Sequence, residues 1–215
     1  MNLNLFETLE DMLYFEKMAC RQGYRAVAGI DEAGRGPLAG PVVAAAVILP
    51  EGCQIEGVND SKKLTESKRN FLFDLIMEQA VSVGVGLSDS QTVDRINILQ
   101  ATLRAMESAV AELAPSPDCL LIDGISRTSL NVYQKTVKKG DSLSCSIAAA
   151  SIIAKVTRDR LMEAFDKEYP GYGFAAHKGY GAKTHLEAIR RLGPTPIHRL
   201  TFRGVKEHVN NEGNS

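Results

Sequence analysis

The sequence has no apolar run that approaches the roughly 18 residues needed to cross a bilayer. Its longest clear apolar run covers residues 42–49. The amino terminus also lacks the basic residues that begin a secretory signal, and it carries acidic residues instead: Glu7, Glu10, Asp11 and Glu16. We therefore expect a cytoplasmic protein with no membrane partner.

Cysteine is scarce, and the four cysteines are widely spaced, at Cys20, Cys53, Cys119 and Cys145. No two of them form a Cys-x-x-Cys pair, which is the spacing typical of zinc and redox sites. Two of them lie inside apolar runs. This pattern favours free, buried thiols over metal ligands or disulfides.

Repeats, low-complexity tracts and convincing linkers are also absent, so the 215 residues suit one domain with at most a small appendage. The net charge of only −1 argues weakly against nucleic-acid binding, but it hides a gradient. Residues 1–60 hold nine acids against four bases, whereas residues 178–215 hold seven bases against three acids. The basic end of the chain is compatible with a phosphate-binding surface and equally with an ordinary solvated face.

The hydrophobic pattern alternates between the strand period and the helix period. Apolar runs predict buried strands at residues 26–30, 42–49 and 119–122, with less regular strands at 81–87 and 132–137. Helical spacing predicts helices over residues 5–20, 65–80, 91–113, 141–169 and 184–192. The helix at 65–80 should turn four side chains inward: Phe71, Leu72, Leu75 and Ile76. Together these elements predict an α/β protein with a mixed five-stranded central sheet flanked by helices.

Acidic side chains follow two of the buried strands, at Asp31 and Asp123. If those strands are parallel neighbours, about 4.8 Å apart, the two carboxylates converge at one edge of the sheet. Glu32 follows Asp31 directly. Asp141 follows Gly140 at the start of a predicted helix, where the helix dipole favours its ionised form. Four neighbouring carboxylates repel one another, so this arrangement requires cations.

Oxygen ligands with no cysteine or histidine at metal-ligand spacing indicate Mg²⁺ or Mn²⁺ rather than Zn²⁺. Two such ions about 4 Å apart suit in-line phosphoryl transfer, because one activates water and the other stabilises the leaving oxygen. Simpler interpretations stay open from the residues alone. Asp123-Gly124 is compatible with a plain turn, and Asp141 with a plain helix cap.

Five segments resemble the type 2 ribonuclease H family, and specifically its bacterial ribonuclease HII members: GIDEAGRGPLAGPV at 29–42, DSKKL at 60–64, IDG at 122–124, KGDS at 139–142 and KGYG at 178–181. The resemblance covers about residues 25–200. It implies a ribonuclease H-like catalytic domain over 25–192, after an N-terminal helical extension at 1–24 and before a C-terminal tail with a small helical extension at 193–215. It also implies four catalytic acids that bind the metal ions: Asp31, Glu32, Asp123 and Asp141.

The resemblance further implies a substrate, either an RNA–DNA hybrid or duplex DNA with one embedded ribonucleotide. Gly34, Arg35 and Gly36 match the turn that reads the ribose 2′-hydroxyl, which is the group that distinguishes RNA from DNA. Tyr180 matches the tyrosine that packs on the following deoxyribose. Cleavage on the 5′ side of the ribonucleotide would leave 3′-hydroxyl and 5′-phosphate ends. We expect a monomer.

Two lysines in a polar loop, Lys62 and Lys63, are candidates for phosphate contacts, although a solvated loop explains them equally well. They belong to the second of the five resembling segments. The residues themselves do not decide between the two roles.

Three other functions compete with this one. The segment Gly34-x-Gly36-x-x-Ala39 satisfies the dinucleotide-binding pattern G-x-G-x-x-G/A, but Pro37 and Pro41 oppose the helix that this pattern must open. A hybrid-binding protein without activity is the second, although all four acids are present. Ribonuclease HIII is the third. Its family has a lysine where Arg35 stands, a glutamate as the last acid, and an extra domain for which the roughly 24 residues before the first strand are too few.

Overall fold

A computed structural model describes residues 11–58, 61 and 64–209. The strands are β1 (Val27–Ala33), β2 (Val42–Ile48), β3 (Ser82–Ser88), β4 (Cys119–Asp123) and β5 (Tyr133–Val137). The helices are α1 (Tyr14–Arg21), α2 (Glu66–Gln79), α3 (Ser90–Ala111), α4 (Cys145–Glu168), α5 (Phe174–His177) and α6 (Lys183–Leu192), and Gly140–Ser142 and Lys206–His208 form 3₁₀ turns.

The five strands form one mixed sheet in the order β3-β2-β1-β4-β5. Strands β1, β2 and β3 are antiparallel neighbours, whereas β4 and β5 run parallel to β1. The segment 34–41, which begins with the Gly34–Gly36 turn, connects β1 to β2. The mixed five-stranded sheet with flanking helices confirms the predicted fold class.

Helices cover both faces of the sheet, and close backbone approach fixes their distance. On one face α3 packs so closely on β3 that a Cβ atom at Gly84 or Gly86 would lie 2.0 Å from a carbonyl oxygen of the helix. On the other face a Cβ atom at Gly29 would lie 2.1 Å from the backbone carbon of Ser146 in α4. Glycine is therefore required where β1 crosses α4. Helix α2 packs outside α4 through the fully buried Leu72 and Ile76.

The prediction for the inward face of α2 is partly wrong. Leu72 and Ile76 are buried as expected, but Phe71 is 59% exposed. The buried stripe follows the spacing of four residues between Leu72 and Ile76, which leaves Phe71 on the flank of the helix, where the Lys68 ammonium lies 5.1 Å from its ring centre.

Two other helices also differ from the predicted ranges. Helix α3 is interrupted at Asn97, whose φ is 66°, and the Asn97 carboxamide accepts hydrogen bonds from the amides of Leu99 and Gln100 to restart the helix. The predicted helix at 5–20 is present from Tyr14 to Arg21, and residues 5–10 lie outside the described residues.

All four cysteines are free, as predicted, with Cys119 and Cys145 buried and Cys20 and Cys53 half-buried. Within the described ranges, no helix combines the length and the apolar character that a membrane span requires. The division of the chain at residues 24 and 192 stays a prediction.

Candidate active site

Two predicted catalytic acids lie side by side at the carboxyl ends of β1 and β4. The parallel register pairs Ile30 with Ile122, so that Asp31 and Asp123 follow on neighbouring strands. Because side chains alternate along a strand, Asp31 and Asp123 lie on the same face of the sheet as Val27 and Leu121, which pack towards α4. Sequence and structure therefore agree on the edge of the sheet where these two acids meet.

Asp31 is deeply buried, with 5% of its surface exposed. Burial is the main cause that raises the pKa of Asp31 well above its usual range, and the negative charges of Glu32 and Asp123 raise it further. The Glu32 amide donates to Asp31 Oδ1 at 2.7 Å, and a hydrogen bond with Ser151 on α4 also favours the charged form. Ser151 in turn shares a hydrogen bond of 2.9 Å with Ser61. An ionised Asp31 in this position favours a nearby cation.

The third acid reaches the same edge through Gly140. The Gly140 amide donates to Asp123 Oδ1 at 2.7 Å, and the next residue is the buried Asp141. A Cβ atom at Gly140 would lie 2.6 Å from Ile147 Cδ1 and 3.3 Å from Asp123 Oδ1. The turn therefore needs glycine at this position, where its backbone lies against Asp123 and Ile147.

The predicted location of Asp141 at the start of a long helix is wrong. Asp141 lies in the 3₁₀ turn Gly140–Ser142, and α4 begins only at Cys145. Ser144 caps α4, because its hydroxyl accepts from the Ile147 amide at 3.3 Å. The simpler interpretation of Asp141 as a helix cap is thereby excluded.

Glu32 and the glycine turn line a cavity of about 260 Å³ beside Asp31, together with Ser151, Lys155, Arg158 and Tyr180. Arg35 Nη1 lies 3.4 Å from Glu32 Oε1. Tyr180 is half-exposed, and its Cε1 atom is 3.6 Å from the place a Cβ atom on Gly36 would occupy. The structure thus brings Gly34, Arg35, Gly36 and Tyr180 together next to the acids.

A donor set made of four carboxylates fits hard divalent cations. In the described ranges, no three histidine, cysteine, aspartate or glutamate side chains stand close enough to form a complete set of ligands as placed. The fit therefore rests on the donor chemistry and on the mutual repulsion at Asp31, which a cation would relieve. Lys62 and Lys63 lie outside the described residues.

Sequence reasoning missed two buried arginines beneath the glycine turn, Arg158 and Arg199, which are 1% and 0% exposed. The signal for Arg158 is present in the sequence, since it occupies a position of the apolar stripe of α4 between Ala154 and Met162. Arg199 lies in the basic tail, which has no regular pattern, and gives no such signal.

Three histidines from the basic end of the chain pack together, with His185 and His198 buried and His177 half-buried. The rings of His177 and His185 stack at 4.4 Å, and His185 Nε2 lies 3.0 Å from His198 Nε2. Burial lowers the pKa of both His185 and His198 to about 4. His185 Nδ1 lies 2.8 Å from the Tyr180 carbonyl oxygen, so this stack supports the loop that carries Tyr180.

Known proteins share both the sequence and the fold. A family profile described as ribonuclease HII matches residues 28–205. Ribonuclease HII of Geotalea uraniireducens strain Rf4 is 66% identical over 212 residues, which are 98% of each chain. Ribonuclease H2 of Pyrococcus horikoshii OT3 superposes with a TM-score of 0.71 at 28% identity, covering 85% of this chain and 96% of that one.

A more distant structure, Bst-RNase HIII in complex with Mn²⁺, has a TM-score of 0.63 and 23% identity over 85% of this chain and 68% of that one. At this identity the likeness shows the fold alone. The profile match and the high identity over nearly the whole chain show that this protein belongs to the ribonuclease HII family and is a ribonuclease H.

Proposed function

We propose that this enzyme hydrolyses the RNA strand of RNA–DNA hybrids and nicks duplex DNA on the 5′ side of a single embedded ribonucleotide. The products carry 3′-hydroxyl and 5′-phosphate ends. The observation that carries the proposal is the meeting of Asp31, Asp123 and the Gly140-Asp141 turn beside the cavity lined by Glu32 and the glycine turn.

Asp31, Glu32, Asp123 and Asp141 would hold two divalent metal ions, Mg²⁺ or Mn²⁺. When bound, such ions activate a water molecule and stabilise the leaving oxygen. The protein's own contribution is to fix the acids before the substrate arrives. The Gly140 amide orients Asp123, and the Glu32 amide and Ser151 orient Asp31. The Mn²⁺ held by Bst-RNase HIII is in keeping with such a site.

Recognition of the ribose rests on the Gly34–Gly36 turn and on Tyr180. The turn offers main-chain groups to a 2′-hydroxyl next to the acids, and only ribose provides that hydroxyl. Tyr180 presents a half-exposed ring across the same cavity, where a sugar can pack against it. On the sequence resemblance alone, Lys62 and Lys63 are candidates for phosphate contacts. We also propose that the enzyme acts as a monomer in the cytoplasm.

The test compares four end-labelled duplexes of the same sequence, which contain no ribonucleotide, one ribonucleotide, four ribonucleotides or a complete RNA strand. Each is incubated with Mg²⁺, Mn²⁺ or EDTA, and the ends are mapped by ligation and phosphatase treatment. We expect metal-dependent cuts on the 5′ side of a ribonucleotide and no cut in the all-DNA duplex. Cutting of the all-DNA duplex, or cutting in EDTA, would contradict the proposal.

A further inference from the structure

Two buried guanidinium groups lie directly beneath the turn that is proposed to read the ribose. Arg158 comes from α4 and Arg199 from the segment after α6, so distant parts of the chain meet there. A buried charge is costly unless it is fully hydrogen-bonded. The free-energy cost of burying both charges indicates a specific role for the two arginines, and their hydrogen-bond partners indicate that role.

Arg199 binds the turn itself. Its Nη2 donates to the carbonyl oxygens of Gly34 at 2.5 Å and Gly40 at 2.9 Å, its Nη1 donates to that of Arg35 at 2.9 Å, and its Nε donates to that of Gly40 at 3.2 Å. One planar guanidinium group thus binds the Gly34–Gly36 turn and also Gly40, near the end of the segment that leads to β2. The backbone of Arg199 is anchored too, since its amide donates to the Leu38 carbonyl at 2.8 Å.

Arg158 joins the turn to the loop that carries Tyr180. Its Nε and Nη2 donate to the carbonyls of Pro41 and Ala39 at 3.0 and 3.1 Å, and its Nη1 donates to that of Lys178 at 2.9 Å. The packing leaves no spare space, because a Cβ atom on Gly34 would lie 2.1 Å from Arg158 Nε. Gly34 also has a φ of +95°, which favours glycine.

Among the described residues, every hydrogen bond from these two guanidinium groups ends on a backbone carbonyl oxygen of the turn or the loop. Main-chain bonds reinforce the same assembly, since Leu38 donates to the Gly179 carbonyl and Gly40 to the Ile197 carbonyl, both at 2.8 Å. The two arginines and these main-chain bonds therefore join the segment 34–41 to the loop that carries Tyr180.

We propose that Arg158 and Arg199 are positioning residues that determine the preference for a ribonucleotide, because their forked donors hold the Gly34–Gly36 turn at a fixed distance from Tyr180. This inference rests on the proposed function and adds the source of its selectivity. It depends on the planar fork of arginine, since lysine carries the same charge but cannot bind several carbonyl oxygens in one plane.

The test uses Arg199→Lys and Arg158→Lys, with Arg199→Met as the stronger change. Binding is measured in EDTA by fluorescence anisotropy on a duplex with one ribonucleotide and on the same duplex made of DNA alone. Cleavage of the first duplex is measured with Mn²⁺, and kcat and KM are separated. Leu72→Ala, which opens a cavity in the distant α2–α4 packing, is the control for loss of stability alone.

We expect both lysine variants to fold, to bind the all-DNA duplex as the wild type does, and to lose most of the preference for the ribonucleotide. Their kcat should fall by at least about tenfold, towards the ~100-fold that a misplacement of about 1 Å costs. In hydrogen exchange, the amides of Leu38 and Gly40 should exchange faster than in the wild type. Leu72→Ala should melt at a lower temperature but keep the wild-type preference at 25 °C.

Folded lysine variants with the wild-type preference and kcat would overturn the inference, and they decide the matter even if Arg199→Met does not fold. Failure of the proposed function gives a different result. In that case the wild type itself would neither prefer nor cleave the duplex with the ribonucleotide.

Discussion

Gly140 connects the two acids Asp123 and Asp141, and its replacement by alanine tests how closely their placement is controlled. The new Cβ atom would lie 2.6 Å from Ile147 Cδ1, about 1 Å inside an ordinary carbon–carbon contact. Ile147 is fully buried at the start of α4 and has little room to yield. The turn must therefore move away from the helix, and the hydrogen bond from the Gly140 amide to Asp123 lengthens.

Two effects of Gly140→Ala have predictable sizes. Overpacking of this kind costs about 1–3 kcal/mol of unfolding free energy, which lowers the melting temperature of a chain of this length by roughly 2–12 °C. A displacement of the carboxylate by about half of an ångström should lower kcat by about tenfold, since a full 1 Å costs ~100-fold. KM should change little, because Gly140 does not line the cavity beside the glycine turn.

The assay is steady-state cleavage of the duplex with one ribonucleotide, which separates kcat from KM, together with thermal melting. Ile147→Val provides a matched rescue, since it removes the Cδ1 atom that the new Cβ atom would meet. On its own Ile147→Val should cost about 1 kcal/mol and leave kcat near the wild-type value. In combination with Gly140→Ala it should recover most of the lost kcat. Full activity in Gly140→Ala, or no recovery in the double variant, would refute the reasoning.

Three further predictions concern buried titratable groups. Burial and the neighbouring acids raise the pKa of Asp31, which means that its charged form is unfavourable in the folded protein without metal. Asp31→Asn should therefore melt above the wild type in EDTA, and Mn²⁺ should no longer raise its melting temperature. A lower melting temperature of the variant in EDTA would contradict this. Burial lowers the pKa of His185 and His198 from 6.5 to about 4, so the unfolded chain binds more protons than the folded chain between these pH values. Chemical denaturation should therefore show the free energy of unfolding falling by up to about 1.4 kcal/mol per pH unit for each histidine as the pH drops. Equal stability at pH 7 and pH 5 would argue against this. Burial also raises the pKa of Cys119 to about 12 and that of Cys145 to about 11. A thiol-specific disulfide reagent at pH 8 should therefore modify neither cysteine until the protein is unfolded. Rapid modification of either cysteine in the native protein would contradict their burial.

The central sheet and two of the acids were predictable because their signals are local. An apolar run that ends in an acid specifies a buried strand and the edge of the sheet at once, and this holds for Asp31 and for Asp123. The antiparallel pairing of β1 with β2 joins two strands that are consecutive in the chain. These features depend on neighbours in sequence, which periodicity describes well.

The support of the site was not predictable, because it depends on contacts between residues far apart in the chain. Arg199 binds carbonyl oxygens about 160 residues before it, and the basic segment around it has no periodicity. The sequence pattern gives no sign that the histidines pack together, yet the structure stacks His177 on His185 and buries His198 beside them. Tertiary packing, not composition, decides whether such residues face water.

The error at Asp141 has a local cause that sequence patterns describe poorly. The alanine-rich run predicts a helix correctly, but not whether it begins at Asp141 or four residues later. Ser144 supplies the cap, and the positive φ of Lys139 directs the chain into the 3₁₀ turn before it. The consequence matters for the site, because the turn gives Asp141 a different position from the one that the helix start would give it.

The most direct test of the central claim is cleavage of a duplex with one ribonucleotide by the wild type and by Asp123→Asn, in Mg²⁺, Mn²⁺ and EDTA. The carboxamide of this variant keeps an oxygen for the Gly140 amide but removes the negative charge, so the fold should persist. We predict a metal-dependent nick on the 5′ side of the ribonucleotide in the wild type, reduced at least about 100-fold in the variant. Equal metal-dependent cleavage by both proteins would contradict the assignment of these acids as the catalytic site.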